Sequence, residues 1–149
     1  MIVEYNTTTK AIKAAHYGRS YIASEWASYD VTGQAIIDCP DETTIMGKYL
    51  IIAGDGTGSF SNENNMTVSV TKTTISANGT DYCDFSGIID GSTIYLDGSS
   101  AGTADAEGTL RFSATDAGTY MFRFYKYTYA IQSLSILATD EYLYDNITG

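Results

Sequence analysis

From Gly108 to Ala138 apolar and polar residues alternate in steps of two on both sides of one tight connection, Thr115-Asp116-Ala117-Gly118-Thr119-Tyr120. A period of two belongs to a strand with one buried face. The stretch therefore predicts the two closing strands of a β-sandwich. Shorter pieces upstream repeat the pattern. Val68 and Val70 alternate, and Ile75 precedes an Ala77-Asn78-Gly79 turn in which Asn-Gly supplies positive φ at little cost. Asp81, Cys83 and Phe85 share one face of the next strand, with Cys83 and Phe85 expected inside and Tyr82 and Asp84 opposite. Ile94 and Leu96 make the following inner face, in a strand that ends in Asp97-Gly98-Ser99-Ser100 and leads into a loop to Gly108. Leu110 and Phe112 then point inward and Arg111 outward. Strands and turns spaced in this way predict a sandwich over residues 67–140.

The first third of the chain is patterned more weakly. Ile2-Val3-Glu4-Tyr5 and Lys10 to His16 flank Asn6-Thr7-Thr8-Thr9, a polar run of hairpin length. Gly18-Arg19-Ser20-Tyr21 turns the chain toward Ile22 and Trp26, the only tryptophan. Gln34 to Asp38 reads as a strand ended by Cys39-Pro40-Asp41-Glu42, because Pro40 lacks the donor a ladder needs. Lys48 to Ala53 reads as another. These pieces make residues 1–53 a small β docking module that leans on a second domain or a partner. Residues 54–66, rich in Gly, Asn and Ser, read as a linker, and 141–149 as a C-terminal tail. The expected class is thus all-β: an N-terminal hairpin module followed by a sandwich without a disulfide.

Composition supports the class. Thr, Ser, Gly and Tyr dominate, with a single proline, 13 Tyr and 5 Phe, and 44% of residues are hydrophobic. The formal charge of −10 repels a phosphate backbone, so nucleic acid is excluded as a partner. The start MIVEYNTTTK has no basic segment followed by an apolar one, and Tyr49 to Ala53 is far shorter than the ~20 residues a spanning helix needs. The expectation is a soluble chain made in the cytosol, with no membrane insertion. Cys39 and Cys83 lie in different modules with no CxxC spacing and read as reduced, packed thiols. The Asn-x-Thr triplets at Asn6, Asn65, Asn78 and Asn146 read as turns rather than glycan acceptors.

Candidate chemistry is sparse. His16 is the only histidine, and no family spacing joins it to Cys39 or Cys83. Asp55, Asn62, Glu63 and Asn64 offer hard oxygen ligands, but their spacing matches no loop with a fixed ligand ladder. No elbow, zinc helix or phosphate loop occurs in the chain. The expectation is no catalytic residue, no metal and no cofactor. The aromatic run is more informative. If one strand continued from Tyr120 to Tyr129, Tyr120, Phe122 and Phe124 would be buried. Met121, Arg123, Tyr125, Tyr127 and Tyr129 would then line the outer face. Arg123, Tyr125, Tyr127 and Tyr129 are the candidate interface, since Tyr and Arg are enriched in hot spots. The competing expectation is that a bulge after Lys126 returns some of these rings to the core, or that the N-terminal module covers them.

Asp116-Ala117-Gly118-Thr119-Tyr120 resembles the D-x-G-x-Y corner leading into strand F of immunoglobulin-like domains, over about residues 67–139. The resemblance implies that Asp116, Gly118 and Tyr120 form a structural corner, with the Tyr120 hydroxyl bonded back to nearby backbone. It places Cys83 in strand B and Phe122 where antibody domains carry their second cysteine. The chain departs from that pattern: it has no cysteine to pair with Cys83 and no tryptophan beside Ile94 and Leu96.

The wider layout resembles small virion proteins of tailed bacteriophages. The matching pieces are the opening hairpin YNTTTKAI, the Gly-Arg-x-Tyr turn, the segment Ile37 to Glu42, and IDGSTIYLDG and DAGTYMFRF in the second half. This resemblance implies a non-enzymatic structural component of a phage particle, located in the virion. Its N-terminal module would dock on other virion proteins of the capsid or the tail and baseplate, in multiple copies, and the immunoglobulin-like domain would project as capsid decoration or tail accessory. The alternatives are a glycan-binding adsorption module that stacks cell-surface sugars on Tyr125, Tyr127 and Tyr129, and a cytosolic tail-assembly chaperone.

Overall fold

Thirteen β-strands run through the described residues of the computed structural model, which are 1–19, 26, 29–42 and 44–140. The chain is all-β, as its alternation predicts. The turn toward Ile22, the tail 141–149 and Asn146 lie outside the described residues. The chain divides into two compact units, Met1–Asn64 and Asn65–Gly149.

In the first unit, β1 (Ile2–Asn6), β2 (Ile12–His16) and β3 (Gln34–Asp38) form an antiparallel sheet in the order β2-β1-β3. The hairpin forms where expected because the Asn6 side-chain oxygen accepts the N–H groups of Thr8 and Thr9, at 2.9 and 2.8 Å. Val3 stands opposite Ala15 on one side and Ile37 on the other. That face builds a core of Met1, Val3, Ile37, Cys39 and Leu50, with Ile52 and Phe60 packed against it.

Leu50 and Phe60 belong to a second hairpin, β4 (Lys48–Ile52) with β5 (Gly58–Asn62). This corrects the linker assigned to residues 54–66. Asp55 accepts both the N–H and the hydroxyl of Thr57, at 3.0 and 2.7 Å, and Ala53 N–H bonds the Thr57 carbonyl at 2.9 Å. The polar glycine run is therefore a turn, and the chain beyond it returns as a strand. One apolar residue, Phe60, opposite Leu50, is all that anchors β5 by pattern, so composition suggested flexibility where pairing gives order. The unit runs on to Asn64, past the module boundary at 53.

Gly58 is fixed by proximity. A Cβ there would lie 2.4 Å from the Cys39 sulfur and 3.2 Å from the Asp38 carbonyl. Gly58→Ala and Cys39→Ala are each expected to destabilise this unit by about 1–3 kcal/mol, the first by overpacking and the second by leaving a void. The double variant is expected to cost less than the sum, because the methyl enters the space the sulfur vacates. Urea unfolding of the four proteins in this cycle measures the coupling. Strict additivity would show that the two sites do not touch.

In the second unit two sheets face each other. One holds β6 (Ser69–Val70), β8 (Cys83–Ser86) and β11 (Leu110–Phe112) in the order β11-β8-β6. The other holds β7 (Thr74–Ser76), β9 (Thr93–Leu96), β10 (Ser99–Thr103), β12 (Gly118–Tyr125) and β13 (Gln132–Thr139), in the order β10-β9-β12-β13-β7. All pairs are antiparallel except β13 with β7. The inward residues named from the sequence interdigitate. The Phe85 ring lies tilted at 4.7 Å from Phe122 and 5.6 Å from Phe124, while Phe112 lies 4.9 Å from Phe122 and 5.0 Å from Tyr120. Cys83, Phe85, Phe124 and Ile136 are wholly buried. Ser99–Thr103, expected to be loop, is the edge strand β10. Asp97 and Gly98, at φ 48° and 85°, make a tight turn that folds it back on β9.

Candidate functional site

Gly118 opens β12, and the Tyr120 hydroxyl donates to the backbone carbonyl of Asp116 at 2.9 Å. The bond ties the strand to its own entry loop, and the Tyr120 ring packs beside Phe112 in the core. Tyr120→Phe keeps the ring and removes the bond. The variant is expected to lose about 0.5–1.5 kcal/mol, toward the lower end because the bond is solvent-exposed. A chemical denaturation curve unchanged from wild type would assign the corner to packing alone.

The four candidate interface residues do not share one face. Arg123 is exposed on β12, between Tyr95 of β9 and Ser133 of β13. Tyr125 ends that strand opposite Thr93. Tyr127 and Tyr129 lie past the strand end, in a turn closed by a 3.0 Å bond from Tyr129 N–H to the Lys126 carbonyl. Thr128 has φ 76°, a left-handed backbone that breaks the period of two. Tyr129 consequently packs against the sandwich core. The continuous outer face of three tyrosines is corrected to Arg123 and Tyr125 on the strand and Tyr127 in the turn.

The structure brings together two clusters that the sequence reading missed. On the three-stranded sheet, Arg111 stands directly opposite Asp84 and grips it with two bonds, Nε at 2.7 Å and a terminal nitrogen at 2.9 Å. The guanidinium lies 3.8 Å above the Tyr82 ring. Arg111 holds the Asp84 carboxyl below the usual carboxylate range, and Asp84 raises Arg111 in turn. Both line a groove of about 370 Å³, together with Thr71, Phe85, Ser86, Thr109 and Leu110. Lys72 pairs similarly with Asp81, whose carboxyl is lowered by Lys72 and by the Ser76 N–H. The Arg111–Asp84 pair becomes readable only with the register of β11 on β8, because its partners come from different segments.

In the first unit, His16 Nε2 lies 2.7 Å from Glu4 Oε1, and the His16 ring is 5.5 Å from that of Trp26. The Tyr29 hydroxyl donates to Gln34 Oε1 at 3.2 Å and sits 3.5 Å from Glu4 Oε2. Burial, then the Glu4 charge, pushes the Tyr29 phenol upward. Ile2 and His16 are register partners, which places His16 on the sheet face opposite the Val3 and Cys39 core. Burial raises the Cys39 thiol to about 11 and raises Cys83 as well, so both are thiols at neutral pH. The Met1 ammonium is enclosed by the Cys39 carbonyl at 3.0 Å and the Asp41 carboxylate at 2.8 Å. Of the oxygens considered for metal, Asp55 spends its carboxylate on Thr57, which lowers its pKa. Among the described residues no group of three His, Cys, Asp or Glu side chains is arranged to hold a metal ion.

Chemically, Arg111 is ion-paired with Asp84, Lys72 with Asp81 and Lys48 with Glu42, and His16 is hydrogen-bonded to Glu4. Comparison of the chain with protein-family models, curated proteins and solved structures finds no match.

Proposed function

We propose that the chain is a non-enzymatic structural component of a phage particle, with the N-terminal unit docking on capsid or tail proteins and an immunoglobulin-like sandwich displayed from it. One observation carries the reading: two all-β units, each with its own core, the second closed by the Tyr120 corner bond. A pinned corner, a disulfide-free aromatic core and a three-plus-five pair of sheets suit a module that holds a shape. The resemblance of the opening hairpin and of the IDGSTIYLDG and DAGTYMFRF segments to phage virion proteins supplies the context. The glycan alternative draws less support, because Tyr129 packs against the core and leaves the strand face on which three rings would align.

The test is the composition of purified particles. Quantitative mass spectrometry of gradient-purified virions is expected to recover the chain in multiple copies per particle. Recovery only from the cleared lysate, with none in the particles, overturns the proposal and favours a chaperone acting during assembly.

A further inference from the structure

The outward side of the five-stranded sheet differs in charge from the rest of the chain. Register puts Met121 opposite Ser135, Leu137 opposite Thr119, and Arg123 between Tyr95 and Ser133. Met121 and Leu137 are 41% and 45% exposed, and as diagonal neighbours they form an aliphatic centre. The outward positions of β7, β9, β10, β12 and β13 carry one charge, Arg123, in a chain whose net charge is −10. At the border Asp97 contributes one carboxylate, which accepts the Met121 N–H at 2.8 Å. The face therefore sums to zero, +1 from Arg123 and −1 from Asp97, and the full −10 resides elsewhere.

We infer that this face pairs two copies of the chain, weakly, about a two-fold axis. A surface that docks on its own copy must be its own electrostatic complement, and this one offers a cation and a carboxylate at diagonal positions, on β12 and just past the end of β9, with an apolar centre beside them. Approach through the strongly acidic remainder of the chain sets like charges against each other. The size of the face sets the strength. Five strands about 4.8 Å apart, with four outward positions about 6.7 Å apart on the longer ones, give a footprint on the order of 400 Å² per copy. Stable dimers bury about 800 Å² per partner, so the pair belongs with transient contacts that fill when copies are held close together. The inference rests on the face alone and does not depend on the particle assignment.

Sedimentation equilibrium of the full chain from micromolar to millimolar concentration is expected to show a mean mass rising from monomer toward dimer. Added salt is expected to raise it further, because screening relieves the repulsion between two acidic chains. Met121→Asp and Leu137→Asp are each expected to keep the chain monomeric across that range, with circular dichroism unchanged. Arg123→Glu, which leaves the aliphatic centre intact, is expected to weaken pairing as well. Ser86→Asp, on the outer side of the other sheet, is expected to leave it unaltered. A monomer at every concentration and salt overturns the inference, and so does association that survives both aspartate substitutions.

Discussion

Phe85→Ala is expected to cost the second unit about 3–5 kcal/mol, the range for deleting a large ring from a closed core. The ring has no exposed surface and meets Phe122 at 4.7 Å and Phe124 at 5.6 Å, so its loss removes two of the ring contacts between the sheets. The cavity has little means of closing. Phe122 and Phe124 are fixed on β12 between β9 and β13, and Cys83, two residues away on the same strand, is already wholly buried. Since domains are stable by only about 5–15 kcal/mol, this one change removes a large part of the margin. Hydrogen exchange read on peptides from β8, β12 and β13 measures the loss in the unit that carries it. Protection reduced by less than a factor of ten in those strands would mean that Phe85 is not the centre of the core.

That centre was legible before any coordinates because a sandwich strand writes its burial as alternation. Cys83 and Phe85, Leu110 and Phe112, and Phe122 and Phe124 each sit two apart, and each pair faces inward or packs on the core. Gln34–Asp38 was bounded correctly at both ends, since Pro40 stops the ladder and Gly33 precedes it at φ 76°. The Tyr120 bond followed from the D-x-G-x-Y motif, where an aromatic ring and a tight corner recur at fixed spacing.

The failures have a common cause, which is that pairing and backbone dihedrals are not written in composition. Ser99–Thr103 and Gly58–Asn62 are small and polar, with Phe60 the only large apolar residue between them, yet both are strands because a neighbour offers hydrogen bonds in register. At Tyr127 and Tyr129 the opposite happened. The side chains favour a strand, but Thr128 adopts φ 76°, which a β-branched residue rarely does, and the sequence carries no glycine or proline to announce it. The period of two fails there and continues at Arg123, which lies within β12. The Arg111 and Asp84 pair was hidden for a third reason: 27 residues separate the partners, so only the register of β11 on β8 brings them together.

Gly108→Ala is the other substitution with a large expected effect, and its size separates two causes. Gly108 has φ 64°, where an L-residue pays about 1–2 kcal/mol. A Cβ there would lie 2.4 Å from the carbonyl oxygen of Ile88, a backbone atom that cannot rotate aside. Ile88 N–H also bonds the Gly108 carbonyl at 3.1 Å, so moving the two segments apart to fit a methyl breaks that bond. Overpacking of this kind adds about 1–3 kcal/mol. Gly98 provides the comparison: its φ is 85°, but no atom lies within 4 Å of a Cβ built on it. Gly98→Ala therefore carries the backbone cost alone. Urea midpoints are expected to fall for both, and to fall further for Gly108→Ala by the steric share. Gly87→Ala is expected to behave like Gly108→Ala, since its Cβ would meet the Thr67 carbonyl oxygen at 2.4 Å. If Gly108→Ala and Gly98→Ala unfold at the same urea concentration, the chain does not pass as closely over Ile88 as the backbone requires, and glycine at 108 serves only its dihedral.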